Sequence, residues 1–220
     1  GALAHGGSEL GLFVTLGGYS NDALHLERTR QNLRLLSGTQ LIDMIFEHYE
    51  RLDPEDRQCR FAGYVSPERL AEYCHQIDWS RTDAIGWFED GDLIAATELV
   101  RLDTRTQSGA PTAELAVTVE KPFQGQGTGT ELFRRILTVA RNRGIAGIVM
   151  RCLLENRRMQ TLAKKYDGKL LFLDGEVESE VRVAQADGLS FLQEAMDDGF
   201  ALFGLIAEQW TGKKRNDRAA

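Results

Sequence analysis

Cysteine is scarce in the 220-residue chain: Cys59, Cys74 and Cys152 are scattered, odd in number and without CxxC spacing. That pattern excludes a disulfide framework and a cysteine zinc site, and it points to reduced thiols in a cytoplasmic protein. The four histidines, His5, His25, His48 and His75, form no HxxxH pair and no cluster with Cys or Asp, so no metal site is expected. A positive charge balance is also missing. With 33 Asp and Glu against 26 Lys and Arg the formal charge is -7, and nucleic acid is not expected as the main partner, because phosphate binding leaves a basic footprint. The longest clean apolar run, Phe200 to Ala207, falls far short of the roughly 20 residues that span a bilayer, so no membrane association is expected. The segment from Gly1 to Ser20 has an apolar patch without a basic lead-in, and no secretion signal is read there.

What is present is the composition of a globular domain, 42% hydrophobic and 27% charged, in a chain long enough to bury one core without staples. Residues 1–31 read as a Gly-rich, then polar extension of unreadable role. Residues 32–184 read as the folded domain and residues 185–220 as a helical extension ending in the basic GKKRNDR. LRLL suggests a short strand, and the following helix places Leu41, Ile42, Ile45, Phe46 and Tyr49 on one face. Asp53-Pro54 reads as a turn, and Ser66-Pro67-Glu68 starts a second helix that ends near Asp78. A hairpin follows, with Asp90-Gly91 at its tip. ELAVTV reads as a buried strand and TELFRRILTVARNRG as an amphipathic helix closed by Gly144. IAGIVMRCLL, RRMQTLAKKY and two strands turning at Asp174-Gly175 complete the domain. Phe200, Leu202, Phe203, Leu205 and Ile206 in the tail fit either packing on the domain or a homodimer contact.

The chemistry concentrates in VEKPFQGQGTGT, from Val119 to Thr130, where a strand ends, three glycines alternate and a helix begins. Such a turn aims several backbone N–H groups and a helix N-terminus in one direction, which suits phosphate. A P-loop is excluded because no Gly-Lys-Ser/Thr is present. A dinucleotide fingerprint is excluded because Thr130 stands where its third glycine belongs and several strands precede the turn.

The pattern QxxGxG from Gln124 to Gly129, after a strand ending Val117-Thr118-Val119, resembles the acetyl-CoA pyrophosphate loop of the GNAT superfamily of N-acetyltransferases. LLENRRMQTLAKKY, with Asn156 and Met159, is similar to the superfamily's second cofactor segment one βα unit later. The resemblance spans about Leu33 to Arg182 and implies an α/β (α+β) fold, a mixed, largely antiparallel sheet flanked by helices with a splayed cofactor cleft. It implies acetyl-CoA (coenzyme A) as co-substrate and an amine acceptor, either a small molecule or a protein lysine. The stretch LDPEDRQCRF followed by VSPERL resembles the entrance of bacterial protein lysine acetyltransferases of the Pat type, and it equally fits a helix-turn-helix entry that any member could carry.

By the same resemblance, backbone groups of Gln124, Gly125, Gln126, Gly127, Thr128, Gly129 and Thr130 hold the pyrophosphate, and Val117, Thr118 and Val119 offer main chain to pantetheine. Gln126 stands where relatives often carry Arg. Asn156 either contacts the amide arm or caps a helix, and both can hold. An amine must lose a proton before it attacks a thioester, and a lysine with pKa near 10.4 is neutral in only about one molecule in a few thousand at pH 7, a cost of roughly 4–5 kcal/mol. A general base is therefore expected. Glu114 stands where many relatives carry a catalytic glutamate, with burial expected to tune it; Glu98 is the reserve. The superfamily's frequent general-acid tyrosine falls at Ala163, Tyr166 reads as core, and Asp167-Gly168 replaces the usual Gly-Phe. Trp79 and Trp87 read as core or as part of the substrate entrance. Two other readings stay open: a small-amine acetyltransferase, and a non-catalytic acyl-CoA-binding module.

Overall fold

A computed structural model describes residues 38–89, 92–106, 109–173 and 175–197, with residues 21 and 25 and the backbone of two short strands ahead of them. Those strands, β1 (Gly11–Thr15) and β2 (Leu33–Ser37), pair in parallel. Helices α1 (Gly38–Arg51), α2 (Pro54–Phe61) and α3 (Pro67–His75) come next. A six-stranded sheet then forms from β3 (Thr82–Glu89), β4 (Asp92–Arg105), β5 (Pro111–Val119), β6 (Gly147–Leu153), β7 (Lys169–Leu173) and β8 (Glu176–Arg182), in the order β3-β4-β5-β6-β8-β7. Helices α4 (Thr128–Asn142) and α5 (Arg157–Lys165) flank β6 in sequence, and α6 covers residues 188–197. Among the described residues no helix is long and apolar enough to cross a membrane.

Every pairing in the sheet is antiparallel except β5 with β6, which run parallel and pair over only three residues, Thr112, Ala113 and Glu114 against Gly147, Ile148 and Val149. Beyond Glu114 the two strands part. A separate core packs on each face of the sheet. On one side Phe133, Ile136 and Ala140 of α4 and Met159 and Ala163 of α5 pack on Leu115, Ile148, Met150 and Val177. On the other, Ile45 and Tyr49 of α1 and Leu70 and Cys74 of α3 pack on Leu93 and Ala96. Each large aliphatic or aromatic side chain buried in this way contributes about 1.5–3 kcal/mol.

The expected α1 face is found, and Gly144 adopts φ 71 as the left-handed closure of α4. Two expectations change. Asp53-Pro54 opens a helix: the Asp53 carboxylate accepts from the Glu55 N–H at 3.1 Å, Pro54 takes the first turn, and Ala62 closes α2 at φ 53. The second helix stops at His75, because Asp78 instead accepts from the Ser80 N–H and hydroxyl at 3.0 and 2.6 Å in the next turn. Tyr166 is core, stacked on Phe133 at 4.3 Å, as its spacing implies. The tail starts as a helix whose Asp187 and Ser190 exchange hydrogen bonds in a reciprocal cap, and it docks on α4 through Asn142 with the Ser190 carbonyl (3.0 Å) and Arg134 with Asp197 (2.8 Å). The Asp90-Gly91 tip, Asp174, the apolar tail from Phe200 and the basic end lie outside the described residues, as does most of the 1–31 extension.

Candidate active site

The divergence of β5 and β6 opens a cleft of about 620 Å³, walled by Glu114 to Val119 on one side and by Asn156, Met159 and Leu162 on the other. The glycine turn lies at one end. Gly125 and Gly127 take φ 74 and 93, values at which an L side chain is strained, and open space surrounds the place where each Cβ would sit. Gly127 is the N-cap of α4, and the first intrahelical bond runs from the Glu131 N–H to its carbonyl at 3.0 Å. The N–H groups of Thr128, Gly129 and Thr130 therefore lie ahead of the helical ladder, available to an anion. A set of backbone donors at a helix N-terminus, beside a turn that carries no Cβ at Gly125 or Gly127 and opens into the cleft, fits a diphosphate. Gly127→Val places a β-branched residue in the left-handed region, at about 1–3 kcal/mol, so calorimetry should find coenzyme A binding weakened about tenfold or more.

The other expected cofactor residues are partly committed to the protein itself. Gln126 folds its amide onto the Pro122 carbonyl at 2.9 Å. Gln124 donates to the Val119 carbonyl at 2.8 Å and to Asp56 at 2.7 Å, which fixes the end of β5 against α2. Asn156 caps α5, its carbonyl oxygen accepting from the Met159 N–H at 3.0 Å, while it also lines the cleft. The side chains of Val119 and Val117 lie 3.5 and 3.8 Å from where a Cβ on Gly129 would sit. Thr118 turns its hydroxyl to the buried His48, 2.8 Å from Nε2, and the His48 Nδ1 meets Glu120 at 3.0 Å. Burial pushes the His48 pKa below its usual value, against the pull of Glu120. This network ties α1 to the outer half of β5.

Glu114 is the last residue of β5 paired with β6, at the fork where the two strands separate. Its carboxylate lines the cleft and lies 3.2 Å from Arg151 Nη1, while Arg151 Nε donates to Glu178 at 2.9 Å. The side chain is 40% exposed. The burial expected from its apolar neighbours does not occur, because Leu115 and Ala113 face the α4 core while Glu114 points the opposite way, as alternation requires.

Glu98 is different: it is 4% exposed and sits under α1, α2 and α3. One oxygen accepts from the Tyr49 hydroxyl, the other from the Tyr73 hydroxyl at 2.6 Å and Arg60 Nη2 at 2.8 Å. Burial raises the pKa of both tyrosines. Burial works against the Arg60 charge, yet facing Tyr49, Glu98 and Tyr73 hold its pKa above the ordinary value. With both oxygens engaged, Glu98 is a structural anchor for the three helices.

Several lining residues are not singled out by the sequence: Asp56, Cys59 and Arg60 on α2, which fall in the LDPEDRQCRF entrance stretch, Arg151 on β6, and Arg158 on α5. Among the described lining residues there is no tyrosine; Tyr166 instead donates to the Thr130 carbonyl at 3.3 Å. Trp79 packs with the α1 and α3 core, and Trp87 lies 5.6 Å from the Arg135 guanidinium, both away from the cleft lining. Cys152 is core, its thiol pushed up to about 11 by burial. Among the described residues no group of His, Cys, Asp and Glu is arranged to hold a metal ion.

A mixed sheet parted between two parallel strands, with an anion cradle at one end and a carboxylate at the fork, defines an acyltransferase that draws on a nucleotide-bearing thioester. Residues 42–168 match the Acetyltransferase (GNAT) family model, and the chain belongs to that family. Its members use acetyl-CoA as co-substrate and transfer the acyl group to an amine. Among solved structures the chain is similar to the GNAT domain of S. lividans PAT, at 25% identity and TM-score 0.54, covering 64% of this chain and 84% of that one. It is also similar to a domain from Methanocaldococcus jannaschii DSM 2661, at 15% identity and TM-score 0.51, covering 64% and 91%. No curated protein matches it.

Proposed function

We propose that this enzyme transfers an acetyl group from acetyl-CoA directly to the side-chain amine of a protein lysine, with Glu114 as the general base. The observation that carries the reading is the position of Glu114 at the fork of β5 and β6, in the same cleft as the glycine cradle. The backbone N–H groups of Thr128, Gly129 and Thr130 take the diphosphate, and Val117 and Val119 offer main chain to the pantetheine arm. Bound acetyl-CoA supplies an activated carbonyl carbon, to which a C–N bond forms as the C–S bond breaks. Glu114 takes the amine's proton, directly or through one water, and Arg151 fixes the direction of its carboxylate at 3.2 Å. No tyrosine is needed as acid, because a thiol with pKa near 8.5, by analogy with Cys, leaves readily as thiolate.

Lysine is favoured over a small amine by the likeness to the S. lividans PAT domain and by the entry segment around α2 and α3. The unpaired thiols keep the cytoplasm as the proposed compartment. The test is an acceptor screen with acetyl-CoA, followed by mass spectrometry. Lysine peptides should gain one acetyl group each. Acetylation of small amines alone would overturn the acceptor, and no coenzyme A release with any amine would leave a binding module.

A further inference from the structure

The cradle lacks a cation on its own loop, since Gln126 is uncharged and its amide is turned onto the Pro122 carbonyl. A cation is nonetheless close at hand. Arg158, on the first turn of α5, lines the same cleft as Gly125, Gly127 and Gly129. Its Nη1 lies 2.6 Å from Asp56 Oδ1, and Asp56 Oδ2 accepts from Gln124 Nε2 at 2.7 Å. One carboxylate on α2 therefore holds both the entrance of the glycine loop and the guanidinium from the opposite wall. A second contact of the same kind, Asp53 with Lys121 at 2.7 Å, ties the start of α2 to the turn ahead of the loop.

We infer that Arg158 is the phosphate-binding cation of this cleft, held on Asp56 until the diphosphate arrives, so that Asp56 opposes ligand binding. The inference rests on the reading of the cleft as a coenzyme A site. The Arg158 side chain is 65% exposed against 19% for Asp56, and an ion pair open to water on its cationic side is worth little and exchanges readily. A guanidinium binds phosphate through two parallel hydrogen bonds and prefers that doubly bonded, more highly charged partner. The loop's missing charge is thus supplied from a helix 32 positions beyond Gln126, and the arriving phosphate releases α5 from α2.

Calorimetry with coenzyme A and with dephospho-coenzyme A tests this on the full chain. Arg158→Ala should weaken coenzyme A about tenfold, the scale of one charge-assisted contact, while Arg158→Lys recovers part of the loss. Asp56→Asn keeps an acceptor for Gln124 and should tighten binding about threefold, the scale of an exposed pair. In the Arg158→Ala background the same Asp56→Asn change should gain nothing. The tenfold ratio should persist with dephospho-coenzyme A; a ratio that vanishes there would place Arg158 on the 3′-phosphate and overturn the assignment. Unchanged affinity in Arg158→Ala, or equal gains from Asp56→Asn in both backgrounds, would also overturn it. Failure of the unmodified protein to bind coenzyme A would instead remove the reading of the cleft itself.

Discussion

Glu114→Gln should lower the rate of acetyl transfer by about 10²- to 10⁴-fold, the usual contribution of a general base, while coenzyme A binding and melting temperature stay near those of the unmodified protein. Binding should survive because the cradle is built from the main chain of Gly127 to Thr130, at the far end of β5. Stability should survive because the side chain is 40% exposed and its pairing with Arg151 is a surface one, worth about 0–1 kcal/mol. The deficit should also depend on pH. The base removes the roughly 4–5 kcal/mol cost of forming the neutral amine at pH 7, and solvent hydroxide performs that task once the pH nears about 10. The ratio of unmodified to variant rate should therefore shrink as the pH rises. A purely structural contribution would give a ratio that is flat in pH, and an undiminished rate at pH 7 would remove Glu114 from the mechanism.

The glycine turn was legible because everything it needs is local. Three glycines at alternate positions, a strand before them and an amphipathic helix after them fix the backbone conformation within twelve residues, and Gly125 and Gly127 adopt the positive φ that only glycine takes cheaply. The order of strands and helices was readable for the same reason, since the period of the apolar residues marks each one. Helix α2 was missed because PEDRQCRF buries no residue and so has no apolar stripe. Its start signal, Asp53 followed by Pro54, was present and is shared by turns and helices. The residues that α2 brings to the cleft were read only as part of an entrance stretch, without individual roles. Arg158 reaches Asp56 across 102 positions, a contact set by the parting of β5 from β6, and exposed charged residues carry no period from which to infer it. Nor does the pattern of apolar residues separate Glu98 from Glu114, which only the resemblance ranks. Leu93 to Leu99 are all buried, so the strand around Glu98 has no exposed face to mark by alternation.

That last ambiguity has a measurable resolution, because the two carboxylates should fail in opposite ways. Glu98→Ala should destabilise the fold by about 3–5 kcal/mol, the cost of removing one partner from a buried ion pair, and in a chain of this size that lowers the melting temperature by about 10 °C. The deletion removes the anionic partner of the Arg60 guanidinium and the acceptor of two tyrosine hydroxyls beneath α1, α2 and α3. Glu98→Gln should cost less, since it keeps one acceptor, but it leaves the Arg60 charge uncompensated among the rings of Tyr49, Phe61 and Tyr73. Urea denaturation reads the loss directly. At temperatures well below the new midpoint, turnover per folded molecule should fall by far less than in Glu114→Gln, since the carboxylate that faces the amine is intact. A Glu98→Ala variant that melts like the unmodified protein but no longer transfers acetyl would reverse the assignment. Catalysis would then belong to the buried glutamate, whose two oxygens are already occupied by three donors.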